Sequence, residues 1–275
     1  EAGKLTPELT KKILGCFNAA ELEDIYLPFK PKRRTRAEIA RNKGLELLAR
    51  IIMSQHGDDI SRAARRFIND KVADADEAVN GALDIIAEWV SENEAVRNTV
   101  RNTFRHTAQL SCKVIKGKEQ EGEKYENYFD CTEPLRRCSS HRLLAMRRGE
   151  NEGFLKVSIK TDDDKAEAGI HRIIVRGDSE ASNLVEKAAI DSYKRLVRPS
   201  IETEFASLSK ERADDEAIDM FAENLRQLLF APPLGHKRVL AVDPGYRTGC
   251  KVVCLDEQGN LLHNDVIYPT PPHND

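Results

Sequence analysis

The chain has 275 residues, of which 40% are apolar and 32% charged, and its formal net charge is −3. That length predicts roughly two domains with ample material for a core, and the composition is that of a charge-rich, mostly helical, soluble protein. The slightly acidic balance excludes a chain that is basic overall, so any nucleic-acid contact must come from local patches.

Residues 1–16 read as a short helix, with Thr6 as N-cap, Pro7 at the first helical position and Leu5, Leu9, Ile13 and Leu14 on one face. Pro28 and Pro31 predict extended backbone over 25–31. Helical periodicity runs from Arg36 to about Gln55, with Gly44 as an interruption. Further helices are predicted over 59–68, over 74–89 with Asp74 or Asp76 as cap, and over 94–116. A polar turn over 117–124 follows.

Residues 139–148 read as helix, with Ser139 or Ser140 as N-cap, and 154–159 as a strand. Long helices over 180–197 and 201–230 are expected to be separated at Pro199. Pro232-Pro233-Leu234-Gly235 signals a linker, and three strand-like runs over 238–242, 251–255 and 261–268 form a meander. Three strands alone are marginal, so this last part is expected to be a truncated domain. No internal repeat stands out.

No apolar run opens the chain, and none approaches the roughly 18 residues of a membrane span, so a cytoplasmic protein without membrane contact is expected. The six cysteines, Cys16, Cys112, Cys131, Cys138, Cys250 and Cys254, lack C-x-x-C spacing and a zinc partner set. They are expected to be reduced thiols, with no metal and no cofactor. There is no P-loop and no dinucleotide-binding glycine pattern.

Three segments carry a resemblance. They are YLPFKPKRRTRAEIARNKG at 26–44, EPLRRCSSHRLLAMRRGENEGFLK at 133–156, and ERADDEAIDMFAENLRQLLFAPPLGHKRVLAVDPGYRTG at 211–249. Each closely resembles the corresponding part of the Tex family of transcription accessory proteins. The resemblance implies a predominantly α scaffold with helix-turn-helix-like parts and a small β element over 1–235. The opening β-strands of an α/β, RNase H-like (YqgF/RuvC) domain would then occupy 236–275. It also implies that the family's helix-hairpin-helix and OB-fold modules lie outside this chain. The function implied is that of an RNA- or DNA-binding scaffold in transcription without strong sequence specificity, with the transcription or translation machinery as further partners.

Three groups of residues could carry chemistry. The first is Lys30, Lys32, Arg33, Arg34, Arg36, Arg41 and Lys43, opposed within the run by Glu38 alone. Such density suits phosphate neutralisation, with Tyr26 and Phe29 as nearby stacking faces. A solvated loop, or a strip docked on the chain's own acids, is the competing reading. The second is Arg136, Arg137 and Arg142, with His141, Arg147 and Arg148 nearby, where bridging to carboxylates within the scaffold is the alternative. Ser139-Ser140-His141 lacks a paired acid and is not a hydrolase motif.

The third is Asp243 in Asp-Pro-Gly-Tyr-Arg-Thr-Gly. By resemblance it matches the first-strand acid of RNase H-type nucleases, where several carboxylates must converge to hold divalent metal. Asp256 and Asp265 are poor partners, and the family's version of this domain looks degenerate. Asp243 is therefore expected to be vestigial and the protein not an enzyme. The alternatives are a metal-dependent nuclease acting through Asp243 and a protein-interaction platform.

Overall fold

The computed structural model describes residues 5–30, 35–56, 59–245 and 248–269. It divides into two compact units, Glu1–Ala217 and Ile218–Asp275. Among the described residues there are eleven α-helices and two three-stranded sheets, and no helix is long and apolar enough to cross a membrane.

Most of the helices start where short polar side chains can accept from otherwise unpaired backbone N–H groups. Thr6 caps α1 (Pro7–Leu14), and Asn18 caps α2 (Ala19–Tyr26). Thr35 caps α3 (Arg36–Asn42) by accepting from Glu38 N, in a Thr-x-x-Glu arrangement. Gly44, at φ +83°, ends that segment and lets the chain turn into α4 (Glu46–Met53). Asp59, Asp74 and Asn93 cap α5 (Ile60–Ala64), α6 (Ala75–Ser91) and α7 (Glu94–Thr107).

α6 is the central element of the first unit. Its buried Ala78, Ala82, Ile85, Ile86 and Val90 belong to the same core as Ala37 and Ala40 of α3 and Leu48 and Ile52 of α4. The core also takes in Val185 and Ala189 of α10 (Glu180–Ser192). α7 packs on α9 (Asp163–Ile174), where Gly169 lets Thr99 approach closely.

Between these helices lies an antiparallel sheet of order β2-β1-β3. Its strands are β1 (Gln109–Val114), β2 (Asp130–Pro134) and β3 (Leu155–Lys160). One face buries Leu110, Cys112, Leu155, Val157 and Ile159, and α8 (Ser140–Asn151) packs against β3. The other face carries the alternate residues, most of them polar.

Three expectations need correction. Residues 25–29 are not extended: α2 runs to Tyr26 and a 3₁₀ turn, Leu27–Phe29, follows. Pro28 sits in the first turn, where a missing N–H costs nothing, and only Lys30, before Pro31, is extended. The helix over 94–116 stops at Thr107, because Gln109 to Val114 pair with a strand on each side. Pro199 does not separate two helices. α10 passes through a π-helical turn, Tyr193–Val197, into α11 (Arg198–Leu229), with Arg198 N donating to Tyr193 O. The wider turn absorbs the donor that proline lacks and keeps its ring off the preceding carbonyl.

The second unit holds β4 (Val239–Asp243), β5 (Cys250–Leu255) and β6 (Leu261–Ile267) in an antiparallel meander. Asp256 closes the second turn by accepting from Gln258 N and Asn260 N at 2.9 and 2.8 Å. Gly249, at φ +80°, lies against Val266 and Tyr268 so closely that a Cβ would stand 2.6 Å from Val266 Cγ1. Leu240, Val242, Leu261 and Leu262 are exposed on this sheet.

Candidate nucleic-acid interface

The first basic run divides by its partners. Lys32, Arg33 and Arg34 lie outside the described residues. Lys30 donates to Glu23 at 2.8 Å, and that hydrogen bond holds its ammonium above the ordinary lysine value. Arg41 pairs with Glu88 at 2.7 Å and Lys43 with Glu77 at 2.6 Å, so both fasten α3 to α6. The Lys43 bond, with a second from Ala73 N, keeps the Glu77 carboxyl below its usual range. Arg36 is exposed and makes no ion pair among the described residues. Docking on the chain's own acids thus accounts for Lys30, Arg41 and Lys43, whereas Arg36 makes no ion pair among the described residues and acts on Asp84 only through its charge.

The second group also splits. Arg142 donates to Glu133 at 3.0 Å, lies 3.3 Å from Cys131 Sγ and stacks over Tyr128 at 5.5 Å. The Glu133 bond raises its pKa further, and these contacts tie α8 to β2. Arg147 pairs with Glu150 on the same helix. Ser139 occupies the N-cap position of α8 without accepting from the helix, and the Ser140 hydroxyl bonds Glu216. Arg136 and Arg137 sit in the 3₁₀ turn after β2 (Leu135–Arg137), exposed and without an ion pair among the described residues.

Arg136 opens onto a groove of about 310 Å³ lined by α7, this turn and α11. Arg105 of α7 and Arg212 of α11 line the same groove, so three arginines, from positions 105, 136 and 212, contribute to its wall. Arg105 bonds Asn102 at 3.3 Å, and Arg212 is 3.7 Å from a half-exposed Glu216. Neither is neutralised by a buried partner. Half-buried Phe205, 5.3 Å from the Phe104 ring, and Leu208, 51% exposed, form the apolar floor. Glu204, the acid of the groove, is bound to Arg101. Cations around an aromatic floor suit a phosphate with a base or sugar against the ring. Arg105 and Arg212 went unnoticed in the sequence because nothing local distinguishes them.

Asp243 ends β4, exposed and in register with Lys251. Val239 pairs with Leu255, so the turn carrying Asp256 lies at the opposite end of the strands. Asp265 pairs with Val252, one residue off the Asp243–Lys251–Val266 row, and so projects to the other face. Among the described residues no group of three or more His, Cys, Asp or Glu is placed to hold a metal ion.

Residues 56–221 match the family described as Tex central region-like, and residues 237–275 match the Tex protein YqgF-like domain. The chain is 38% identical over 274 residues to the transcriptional accessory protein Tex of Neisseria gonorrhoeae, covering 98% of this chain and 36% of that protein. It is 40% identical to the uncharacterized protein YdcI of Bacillus subtilis, covering all of this chain and 39% of YdcI. It is 28% identical to the human S1 RNA-binding domain-containing protein 1, covering 97% of this chain and 28% of that protein. The chain therefore spans well under half the length of these relatives. Matched over most of its length by the central-region family and at its end by the YqgF-like domain, this chain belongs to the Tex family.

Proposed function

We propose that the chain is the helical scaffold of a nucleic-acid-binding protein acting in transcription, and that it contacts the phosphate backbone without catalysing a reaction on it. The observation that carries this reading is the groove that Arg105, Arg136 and Arg212 line together with Phe205 and Leu208. The name of the Neisseria relative supports the transcriptional setting, and that of the human relative supports contact with RNA. The aromatic floor favours an unpaired strand, whose bases are free to stack. Arg36 and Arg137 supply further exposed charge, and Lys32, Arg33 and Arg34 extend the same proposal. Asp243, at the exposed end of β4, is read as a vestigial first-strand acid.

Fluorescence anisotropy of the 275-residue chain with labelled single-stranded RNA, across about 50–300 mM salt, tests this. Changing Arg105, Arg136 and Arg212 to Ala should weaken binding. It should also reduce the slope of log affinity against log salt by about 2, at roughly 0.7 per phosphate contact on a single strand. Unchanged affinity and slope in that variant would remove the groove from the interface.

A further inference from the structure

The outer face of the sheet β2-β1-β3 is a second charged surface, built from residues far apart in sequence. Alternate residues of the three strands point to this side, and the register arranges them in rows. One row is Asp130, Lys113 and Lys156. The next is Thr132, Ser111 and Ser158. The third is Pro134, Gln109 and Lys160. Lys113, Lys156 and Lys160 are exposed and make no ion pair among the described residues. Asp130 stands opposite Lys113 without pairing to it within 4 Å.

Two features of this face ask for an anion. Lys113 and Lys156 are directly opposite on neighbouring strands, and with only Asp130 across from Lys113 the row keeps a positive charge in excess that an anion would offset. The row between the lysine rows is all hydroxyl, and Thr132, exposed at its edge, donates to the recessed Ser111 at 3.3 Å. These groups favour phosphate oxygens and offer nothing to an apolar partner. No aromatic residue occupies any of the nine positions, so a base has no ring to stack on. That separates this face from the groove and favours a ligand that presents phosphates while keeping its bases inside. Arg136 of the groove follows β2 by two residues, at the end of the sheet where Gln109 pairs with Lys160, so groove and sheet are linked by consecutive chain.

We infer that this face binds the phosphate backbone of a nucleic-acid double helix, through Lys113, Lys156 and Lys160. The inference rests on the nucleic-acid reading above and deepens it: the groove takes an unpaired strand and the sheet takes the adjoining duplex. Contact is limited to phosphates and is independent of sequence.

The test uses the 275-residue chain, a 20-base-pair DNA duplex and a 20-nucleotide single-stranded RNA, each titrated across about 50–300 mM salt. The variants are Lys113→Ala/Lys156→Ala/Lys160→Ala and the corresponding triple Lys→Arg. All three lysines are exposed, and circular dichroism checks that each variant is folded. The alanine variant should lose affinity for the duplex, with the salt slope reduced by about 2 to 3 at roughly 0.9 per phosphate. The arginine variant should bind the duplex as the unaltered chain does, and single-stranded RNA should be bound equally by all three proteins. If the unaltered chain binds neither probe, the nucleic-acid reading and this inference fall together. If it binds the duplex and the alanine variant matches it, or if the loss falls on single-stranded RNA instead, the sheet assignment is overturned while the nucleic-acid reading stands.

Discussion

Asp24 anchors the first two helices, and its removal should release them. Among the described residues, α1 has no buried residue and α2 has one, which is Asp24. Its carboxylate accepts from Arg97 Nε at 2.5 Å and from Arg101, both on α7 and both nearly inaccessible to solvent. Arg101 is further held by Glu204 of α11 at 2.7 Å, and Arg97 by the Ser200 hydroxyl at 3.1 Å. The two carboxylates hold the Arg101 guanidinium above its already high pKa against the cost of burial. In Asp24→Ala, Arg101 keeps a carboxylate but Arg97 keeps only a hydroxyl. Leaving a buried charge unpaired costs about 3–5 kcal/mol, and it also leaves vacant space where the carboxylate stood.

The chain need not bear that cost. Undocking α1 and α2 would expose Arg97 to water while giving up little apolar burial. The change should therefore appear first as local opening. Amide hydrogen exchange in α2 should accelerate by up to about two to four orders of magnitude, at a factor of ten per 1.4 kcal/mol. Core helices such as α6 should keep their protection. Asp24→Asn, which retains one acceptor oxygen, should fall between the two. Unchanged exchange in α2 of Asp24→Ala, with an unchanged urea midpoint, would refute the claim that this carboxylate docks the N-terminal helices.

Three further outcomes are expected. Gly169→Ala should destabilise the chain by about 1–3 kcal/mol despite alanine's helix preference, because the new Cβ would stand 2.6 Å from Thr99 Cγ2. Thr99→Ser, which removes that methyl, should restore the midpoint of denaturant unfolding, and a stabilised single variant would contradict the packing argument. Burial pushes the Cys112 thiol up to about 11 and the Cys138 thiol up to about 12. Folded-state values raised in this way give stability that is complete below the unfolded pKa near 9 and declines as pH rises toward them. Each thiol gives a slope of at most about 1.4 kcal/mol per pH unit. Urea unfolding at pH 8 and pH 10 should show a larger loss for the unaltered chain than for Cys112→Ala/Cys138→Ala, and equal losses would count against it. Adding Mg²⁺ should leave the melting temperature of the 275-residue chain unchanged, since a divalent ion needs several convergent oxygens and Asp243 has no convergent acid among the described residues. A Mg²⁺-dependent rise that Asp243→Asn abolishes would favour the nuclease reading instead.

Much of the architecture could be read along the chain because its causes are local. The Thr6-Pro7 start, the Asp74 cap, the break at Gly44 and the three strands after Gly235 each depend on a few neighbouring residues. Polar caps, left-handed glycines and hydrophobic periodicity act within a turn or two, so sequence alone determines them. The Tex resemblance likewise lay in contiguous segments. What needed the tertiary structure were choices made by distant partners. Residues 109–114 carry a helix-compatible composition and become a strand because β2 and β3 pair with them on both sides. Pro199 reads as a helix end, yet a π-helical turn carries the helix past it.

The same division governs the candidate interface. A dense basic run marks itself in sequence, but whether each cation meets a carboxylate is decided by packing. Glu77 and Glu88 of α6 engage Lys43 and Arg41, while Arg36 on the same helix stays free of an ion pair among the described residues. Arg105, Arg136 and Arg212 come to line one groove with Phe205 only because three elements pack together, and Lys113, Lys156 and Lys160 share one face only through strand register. Charge is a property of composition, but the electrostatic field that a ligand meets depends on where the fold brings like charges together and which of them it leaves unpaired.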